Sequence, residues 1–421
     1  MRKMLIVASA LCIALAAICN AENRPNNPAP QPDKKAYTID DVWAAYEGFN
    51  NVFLDSKKYI YKHDNTFAHA KDRFNGAAAI WCQPMYWNMA MDACRLAEKL
   101  GDKERAAKYR QLVKKIYNGN RKHYTGFNFH DNNENTGWFI YDDIMWWTIS
   151  LARGYEFFGD EDYLRYSEDS FSRVWYGSDI VGDNGSYDPN KGGMFWRWYP
   201  IQNPKPNESS HGKMACINFP TVCAAMILHN NVPADRKEPT GDKPLYQTKE
   251  GYLKMAKEIY AWGEKNLFDP RTGRIADSRH GEGRPDWKAH IYNQATFIGS
   301  SAMLYLTTGD KHYLDNAVKA ADYSCGAMSA RYGLLPFERG IEQGIYTAIF
   351  AQYMAILVYD CGQTQYLPFL EKNIVTGWAN RDKSRNIIDG EYHKRTAPYE
   401  NVDSYEASGI PALMLLFPPQ E

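Results

Sequence analysis

Two adjacent carboxylates, Asp142 and Asp143, stand in a segment that also carries three tryptophans and a tyrosine. Because two carboxyl groups held close together cannot both ionise easily, we expect the pKa of one of them to rise. The ionised acid can attack an anomeric carbon or activate water, while the protonated acid can donate to the leaving oxygen. The pair could therefore cleave a glycosidic bond. Retention and inversion both stay open, because neighbouring side chains reach the ~5–5.5 Å separation of a retaining enzyme only in some rotamers.

The residues that follow this pair predict the helix that positions it. Ile144, Trp147, Leu151, Tyr155 and Phe158 recur at steps of three and four, which indicates an amphipathic helix. The two acids then lie in or just before its first turn, where free backbone N–H groups and the helix dipole favour negative charge. Helix capping by Asp is the structural alternative to catalysis.

The rest of the chain predicts an all-α protein. Apolar periodicity predicts twelve helices, at about 40–54, 85–99, 104–118, 141–158, 161–175, 216–229, 249–266, 294–308, 312–325, 343–360, 364–377 and 404–416. Gly101, Gly159 and Gly309 each precede an Asp, which is typical of a left-handed C-cap followed by the N-cap of the next helix. Repeated helix pairs of this kind form either an open solenoid or a closed (α/α)6 barrel of six helical hairpins.

Three long loops point to one end of such a barrel. The segments 119–140, 176–215 and 267–293 hold much of the Gly, Trp and His, and each precedes an even-numbered helix. These loops would therefore cluster on one rim, which is where we expect a binding site.

Further candidate substrate-binding residues lie on these loops or near predicted helix starts. Amide and carboxylate groups supply the donors and acceptors that sugar hydroxyls need, and aromatic rings can pack on sugar faces. Polar turns, core packing and helix capping are the structural alternatives. The candidates are Asn128, Tyr141, Trp147, Trp196, Asn293, Gln294 and Glu342.

Composition and spacing argue against several other functions. Lys+Arg is 49 and Asp+Glu is 50, with no evident basic patch, so we expect no nucleic-acid partner. The segment 178–185 faintly resembles a calcium loop but lacks its ligand alternation and closing Glu. The cysteines form no CxxC pair, and no histidines stand at zinc-ligand spacing. We expect no metal and no cofactor.

The N-terminus predicts export. Residues 1–21 have a short positive region and an apolar run at 5–18, and a plausible cleavage follows Ala21, so this segment is a signal peptide. Lipid attachment at Cys19 is the alternative, which the bulky Ile18 disfavours. The Pro/Asn-rich composition of residues 22–36 predicts a flexible tether. Residues 37–421 show no linker and are expected to form a single catalytic domain, a monomer in the periplasm or at the cell surface.

Several segments in order resemble glycoside hydrolase family 76, the α-1,6-mannanases and their relatives. They are Tyr141-Asp142-Asp143-Ile144-Met145-Trp146-Trp147, Gly192-Gly193-Met194-Phe195-Trp196, Tyr292-Asn293-Gln294-Ala295, Leu304-Tyr305-Leu306-Thr307-Thr308-Gly309-Asp310 and Glu342-Gln343-Gly344-Ile345-Tyr346. The resemblance implies an (α/α)6 barrel and a retaining endo-acting hydrolase of α-1,6-linked mannan. It also implies that Asp142 is the nucleophile and Asp143 the acid/base.

Three other functions fit the same residues. A relative of this family could act as a cell-wall transglycosylase, which passes the glycosyl group to a sugar instead of to water. A catalytically silent glycan-binding protein could use the same barrel. An (α/α)6 enzyme could also act on another glycan or a uronic-acid polymer, although the absence of a clear basic cluster near the acids disfavours an acidic polymer.

Overall fold

The computed structural model describes residues 37–72, 75–131, 136–197, 212–338, 340 and 342–419. Within the chain, Tyr37–Glu421 forms one compact unit. The predicted signal peptide, the tether and Cys19 lie outside the described residues. None of the described helices is both long and apolar enough to cross a membrane.

Helices dominate the described residues. They are α1 (Ile39–Phe53), α2 (Gln83–Lys99), α3 (Lys103–His123), α4 (Tyr141–Phe158), α5 (Glu161–Tyr176), α6 (Ala215–Asn231), α7 (Lys249–Leu267), α8 (Ile291–Thr308), α9 (Lys311–Cys325), α10 (Tyr346–Ala355), α11 (Leu367–Ala379), α12 (Ser404–Ala407) and α13 (Gly409–Leu416). Four two-residue strands form two antiparallel pairs, β1 (Lys213–Met214) with β4 (Ser278–Arg279) and β2 (Phe268–Asp269) with β3 (Arg274–Ile275).

Two of the predicted helices are interrupted. The segment predicted at 343–360 is a 3-10 turn, then α10, then a π-helical turn at Ile356–Asp360. The segment predicted at 404–416 divides at Ser408 into α12 and α13. Pro411 has no N–H to donate to the carbonyl one turn earlier, so it favours a new helix start just before it.

The Gly-Asp turns cap the helices as predicted. Gly159 and Gly309 end α4 and α8 in the left-handed conformation. Asp102, Asp160 and Asp310 are the N-caps of α3, α5 and α9, and each side chain accepts a hydrogen bond from a backbone N–H of the first turn. These contacts satisfy helix-end groups that would otherwise need water.

The helices form a closed double ring. The inner ring is α2, α4, α6, α8, α10 and α13, each packed on the next, and α13 packs on α2. The outer helices α3, α5, α7 and α9 pack on the inner helix that precedes them, while α1 and α11 pack on α13. This closure excludes the open solenoid and confirms the predicted (α/α)6 barrel.

Burial separates the two rings. In α6 every residue from Ala215 to His229 is buried. The outer helix α3 buries only Tyr109, Val113, Ile116, Tyr117 and Asn120. An inner helix contacts neighbours on all sides, whereas an outer helix needs only one apolar stripe.

The barrel has two unlike ends. We call the loops that lead into the inner helices the N-terminal rim; they span 54–82, 124–140, 177–214, 268–290, 326–345 and 380–403. The loops that leave the inner helices form the C-terminal rim and span 100–102, 159–160, 232–248, 309–310 and 361–366. Apart from 232–248, which is as long as 124–140, the loops of the C-terminal rim are shorter than those of the N-terminal rim. β1 pairs with β4 to join two loops of the N-terminal rim.

Candidate active site

A cavity of about 180 Å³ opens at the N-terminal rim. It is lined by Ala79, Ile80, Trp81, Ile140, Asp142, Asp143, Trp196, Met214, Cys216, Tyr292, Glu342 and Tyr346. These residues come from the first turns of α4, α6, α8 and α10 and from the segments just before them and before α2. Four inner helices therefore direct their electropositive N-terminal ends at one cavity.

Asp142 and Asp143 are the second and third residues of α4, as the sequence predicts. They are 9% and 7% exposed, and both line the cavity. The Tyr141 N–H donates to the carbonyl of Trp196 at 3.0 Å, and Ile140 forms a β-bridge with Arg197. The start of α4 is thus held against the segment that carries Trp196.

Burial changes the chemistry of Asp142. It raises the pKa of this carboxyl group to about 7, and the Cys216 thiol and the Trp196 indole partly oppose the rise. Oδ1 of Asp142 is buried and has no hydrogen-bond partner within normal geometry among the described residues. Asp142 therefore holds a proton at a higher pH than an exposed aspartate does.

Cys216 stands beside Asp142 at the second position of α6. Burial, followed by the nearby negative charge of Asp142, raises the pKa of this thiol well above its usual value. The thiol therefore stays protonated and acts as a weak donor towards the carboxylate.

A third carboxylate, Glu342, lines the same cavity. The Trp81 indole N–H donates to its Oε2 at 2.6 Å. Among the described residues this is the one hydrogen bond that the Glu342 carboxylate receives, so Oε1 is available to accept from a ligand hydroxyl. The predicted site residue Glu342 is therefore brought next to the aspartate pair.

Two tyrosines form another part of the cavity wall. Tyr292 and Tyr346 are stacked, with ring centroids 3.9 Å apart and an interplanar angle of 11°. Glu338 fixes the start of α8 because its Oε1 accepts from the Ile291 N–H at 2.6 Å and its Oε2 contacts His290. Flat rings beside carboxylates suit a ligand with both hydroxyl groups and apolar faces.

Three predicted substrate-binding residues do not reach the cavity. Tyr141, Trp147 and Gln294 are fully buried and absent from its lining. The Trp147 indole donates to the Ile80 carbonyl at 3.1 Å, and the Gln294 side chain accepts from the Ile275 N–H at 2.6 Å. In this structure the three side chains pack behind the cavity walls, and their predicted contacts with a substrate stay predictions.

The remaining two candidates also lie outside the lining. Asn128 is exposed in a turn, where its Oδ1 accepts from the His130 N–H at 3.2 Å. Asn293 is fully buried, and its Nδ2 donates to Asp277 at 3.1 Å. Neither side chain lines the cavity, whereas the half-buried Trp196 forms part of its wall. Substrate binding by these three residues stays a prediction.

Sequence reasoning missed the side chains that do line the wall beside these motifs. They are Trp81, Met214, Cys216, Tyr292 and Tyr346. Asp142, Cys216 and Tyr292 each hold the second position of an inner helix. This shared helix position could have indicated the cavity lining from the sequence. It predicts that Tyr292 faces the cavity, and that Asn293 and Gln294 do not.

The segment 178–185 has a structural role. The carboxylate of Asp183 accepts from Arg173 Nη1 at 2.9 Å, from the Tyr141 hydroxyl at 2.6 Å and from the N–H groups of Ser178 and Gly185. These donors occupy the oxygens that a cation would need. Within the part of the chain that the structure describes, no group of three or more His, Cys, Asp or Glu side chains could hold a metal ion.

A second group of acids lies under the turn that carries Glu342. A Cβ on Gly344 would stand 2.5 Å from Glu406 Cγ, so this turn packs directly on Glu406. Burial, with a hydrogen bond to Asp389 next in importance, raises the pKa of Glu406 to about 9. Burial raises the pKa of Asp403 to about 7. Protonated carboxyl groups thus support the turn near neutral pH.

Solved structures of similar fold include an α-1,6-mannanase and a family 76 mannosidase. The α-1,6-mannanase GH76A from Salegentibacter sp. HEL1_6 is 22% identical, with a TM-score of 0.69 over 90% of this chain and 98% of that chain. An inactive variant of that enzyme, with two consecutive aspartates replaced by asparagine and α-1,6-mannotriose bound, is 21% identical, with a TM-score of 0.68 over 90% and 98%. A family 76 mannosidase from Bacteroides thetaiotaomicron VPI-5482 is 15% identical, with a TM-score of 0.67 over 89% and 96%.

Sequence comparison gives the family directly. A search of the curated proteins found no match. The family model described as "Glycosyl hydrolase family 76" matches residues 49–408. Since this match spans most of the 421 residues, the chain belongs to glycosyl hydrolase family 76.

Proposed function

We propose that this protein is an exported endo-hydrolase that cleaves α-1,6-linked mannan with retention. The observation that carries the proposal is the aspartate pair, buried at the start of α4 in a cavity walled by aromatic rings. Family membership supports a glycosidase. The α-1,6 linkage is supported by the Salegentibacter mannanase, whose inactive variant has two consecutive aspartates replaced.

Asp142 is the nucleophile in the proposed reaction, and Asp143 is the acid/base. The first step needs an ionised Asp142 to attack C1 and a proton on Asp143 for the leaving oxygen. The Cys216 thiol and the Trp196 indole favour the ionised form of Asp142, since both lower its pKa. They therefore oppose the rise that burial causes and increase the ionised fraction of Asp142, which is the form that attacks C1. Water activated by Asp143 then releases the sugar from Asp142.

Glu342 and the aromatic walls hold the sugar ring in this proposal. Glu342 is fixed by Trp81 and offers its other oxygen to a sugar hydroxyl. Tyr292, Tyr346 and Trp196 provide apolar contact. Three carboxylates in one cavity repel an anionic sugar, so the site favours a neutral polysaccharide over a uronic-acid polymer.

Digestion of linear α-1,6-mannan tests the proposal. We expect internal cleavage by the wild type and a loss of about 1000-fold or more in kcat for Asp142→Asn and Asp143→Asn. Asp179→Asn is the matched control, because this carboxylate lies on the same rim but is exposed and paired with Lys243. Mannan binding without any cleavage would instead support a glycan-binding protein. Products longer than the substrate, formed with an added acceptor sugar, would support a transglycosylase.

Export is part of the proposal and rests on the signal-peptide pattern of residues 1–21. We expect the mature chain to begin after Ala21 when it is produced in a secreting host. Intact-mass measurement checks this. A mass that corresponds to an acylated N-terminal Cys19 would show a lipid-anchored protein instead, and size-exclusion chromatography would test the proposed monomer.

A further inference from the structure

Tyr399 combines an unfavourable backbone with an almost fully exposed ring. Its φ is 71°, and it is 94% exposed. A non-glycine residue in the left-handed region costs backbone energy that glycine would avoid. Residues held in this way cluster at functional sites, because packing elsewhere must maintain them.

The other aromatic residues with positive φ in the described part of the chain gain packing in return. Phe127 is buried and stacks on Phe129, and Tyr59 lies half-buried under the Lys115 ammonium group. Tyr399 gains no such packing, because nearly its whole ring is in solvent. Its conformation presents the ring outward and contributes nothing to the core.

Side-chain contacts to the backbone just after Tyr399 hold the loop in place. The Asn65 side chain donates to the Glu400 carbonyl at 3.3 Å and accepts from the Val402 N–H at 2.7 Å. Arg385 also donates to the Glu400 carbonyl, at 3.0 Å. The ring is therefore carried on a fixed support, which lowers the entropy lost when a ligand binds.

This loop is continuous with the wall of the catalytic cavity. Asp64 and Asp403 form a β-bridge that joins the segment 54–82 to the segment 380–403. Two residues further, the Tyr405 hydroxyl accepts from the N–H of Ala79, which lines the cavity, at 2.8 Å. Tyr399 therefore projects from the same part of the N-terminal rim that borders the active site.

Other exposed rings lie on the same part of the rim. Tyr332 stacks on His393 with centroids 3.9 Å apart, which links the segments 326–345 and 380–403. Phe67 is exposed on the segment 54–82. The other exposed tyrosines among the described residues, Tyr246 and Tyr359, lie on or next to the C-terminal rim.

We propose that Tyr399 and the Tyr332–His393 stack form a second carbohydrate-binding surface outside the cavity, which binds a further stretch of the neutral polysaccharide that the cavity cleaves. This inference rests on the proposed function. The cavity of about 180 Å³ is smaller than the ~300–1,000 Å³ of pockets that enclose a drug-sized ligand. A polysaccharide must therefore extend beyond it, and flat exposed rings suit the apolar faces of its sugar units.

Tyr399→Gly tests this surface, because glycine keeps the left-handed backbone while it removes the ring. On long linear α-1,6-mannan we expect KM to rise about 3- to 10-fold with kcat unchanged, the range that loss of one aromatic contact gives. On α-1,6-mannotriose we expect kinetics that match the wild type, because the second surface is proposed to act only on the part of a long chain that lies outside the cavity. The melting temperature should stay the same or rise, since backbone strain is relieved. Tyr399→Trp should retain the wild-type KM.

Tyr246→Gly is the matched control, an exposed loop tyrosine on the segment 232–248, which contributes no residue to the cavity lining, and it should leave KM for the polymer unchanged. An unchanged KM in Tyr399→Gly, or an equal loss on polymer and trisaccharide, would overturn the second surface while the proposed function stands. Wild-type protein that cleaves neither substrate would overturn the proposed function and this inference with it.

Discussion

The two rims of the barrel are built from the same helical hairpins but have different roles. On the C-terminal rim, turns as short as Gly159–Asp160 end one helix and cap the next, and their polar groups are satisfied locally. On the N-terminal rim, buried carboxylates crowd the starts of the inner helices. The difference shows that one rim maximises local stability while the other accepts buried charge to position chemical groups.

Helix direction explains which rim carries the site. The inner helices present their N-terminal ends to the cavity, where free N–H groups and helix dipoles favour the negative charges of Asp142, Asp143 and Glu342. The opposite ends would destabilise the same carboxylates. Substitutions on the N-terminal rim should therefore affect activity most, and those on the C-terminal rim should affect only stability.

After the two aspartates, Glu342→Gln should cause the largest loss of activity. The amide keeps the size of the side chain but loses the charge that accepts from Trp81 and from a sugar hydroxyl, so we expect kcat/KM to fall about 10- to 100-fold. Trp81→Phe should cost less. Steady-state kinetics on mannan, measured for both single variants and the double variant, test whether the two side chains act together. Losses of free energy that simply add in the double variant would contradict this.

A matched pair of glycines separates the rims directly. Gly137 and Gly159 have φ of 79° and 64°, so alanine at either position should lower the free energy of unfolding by about 1–2 kcal/mol. A Cβ at Gly137 would stand 3.3 Å from Asp143 Oδ2, whereas a Cβ at Gly159 would meet nothing within 4 Å. We expect kcat to fall about tenfold in Gly137→Ala only. Denaturant titration and kinetics measure both effects, and an equal loss of kcat in the two variants would contradict the assignment.

The pH profile should show the smallest change. Asp142 must be ionised to attack C1, and burial raises its pKa to about 7, so kcat/KM should fall below about pH 7 by up to tenfold per pH unit. Cys216→Ala removes a group that lowers this pKa, so the acidic limb should move to higher pH. Cys216→Ser should restore it. If the acidic limb keeps its position in Cys216→Ala, the thiol does not affect the pKa of Asp142.

The sequence was sufficient to predict the barrel and the position of its chemistry. Apolar periodicity and Gly-Asp turns are local signals, so the helices and the placement of Asp142 and Asp143 in the first turn of α4 followed from them. Glu342 and Trp196 were also placed at the cavity. The catalytic roles of the two aspartates stay predictions.

The wall of the cavity could not be predicted in the same way. Tyr141, Trp147 and Gln294 are residue types that are common in sugar sites. The direction of their side chains depends on how the helices close into a ring, and in the closed ring they point into the core. The Trp81–Glu342 contact joins residues 261 positions apart, so no local pattern indicated it. Helix register, which decides that Tyr292 faces the cavity, needed boundaries accurate to one residue.

The stereochemistry of the first product tests the central claim most directly. Proton NMR during rapid hydrolysis of linear α-1,6-mannan, followed before mutarotation, identifies the new reducing end. Double displacement at the Asp142–Asp143 pair predicts the α-anomer first, with no signal in Asp142→Asn. A first-formed β-anomer would show single displacement through water and would contradict Asp142 as the nucleophile.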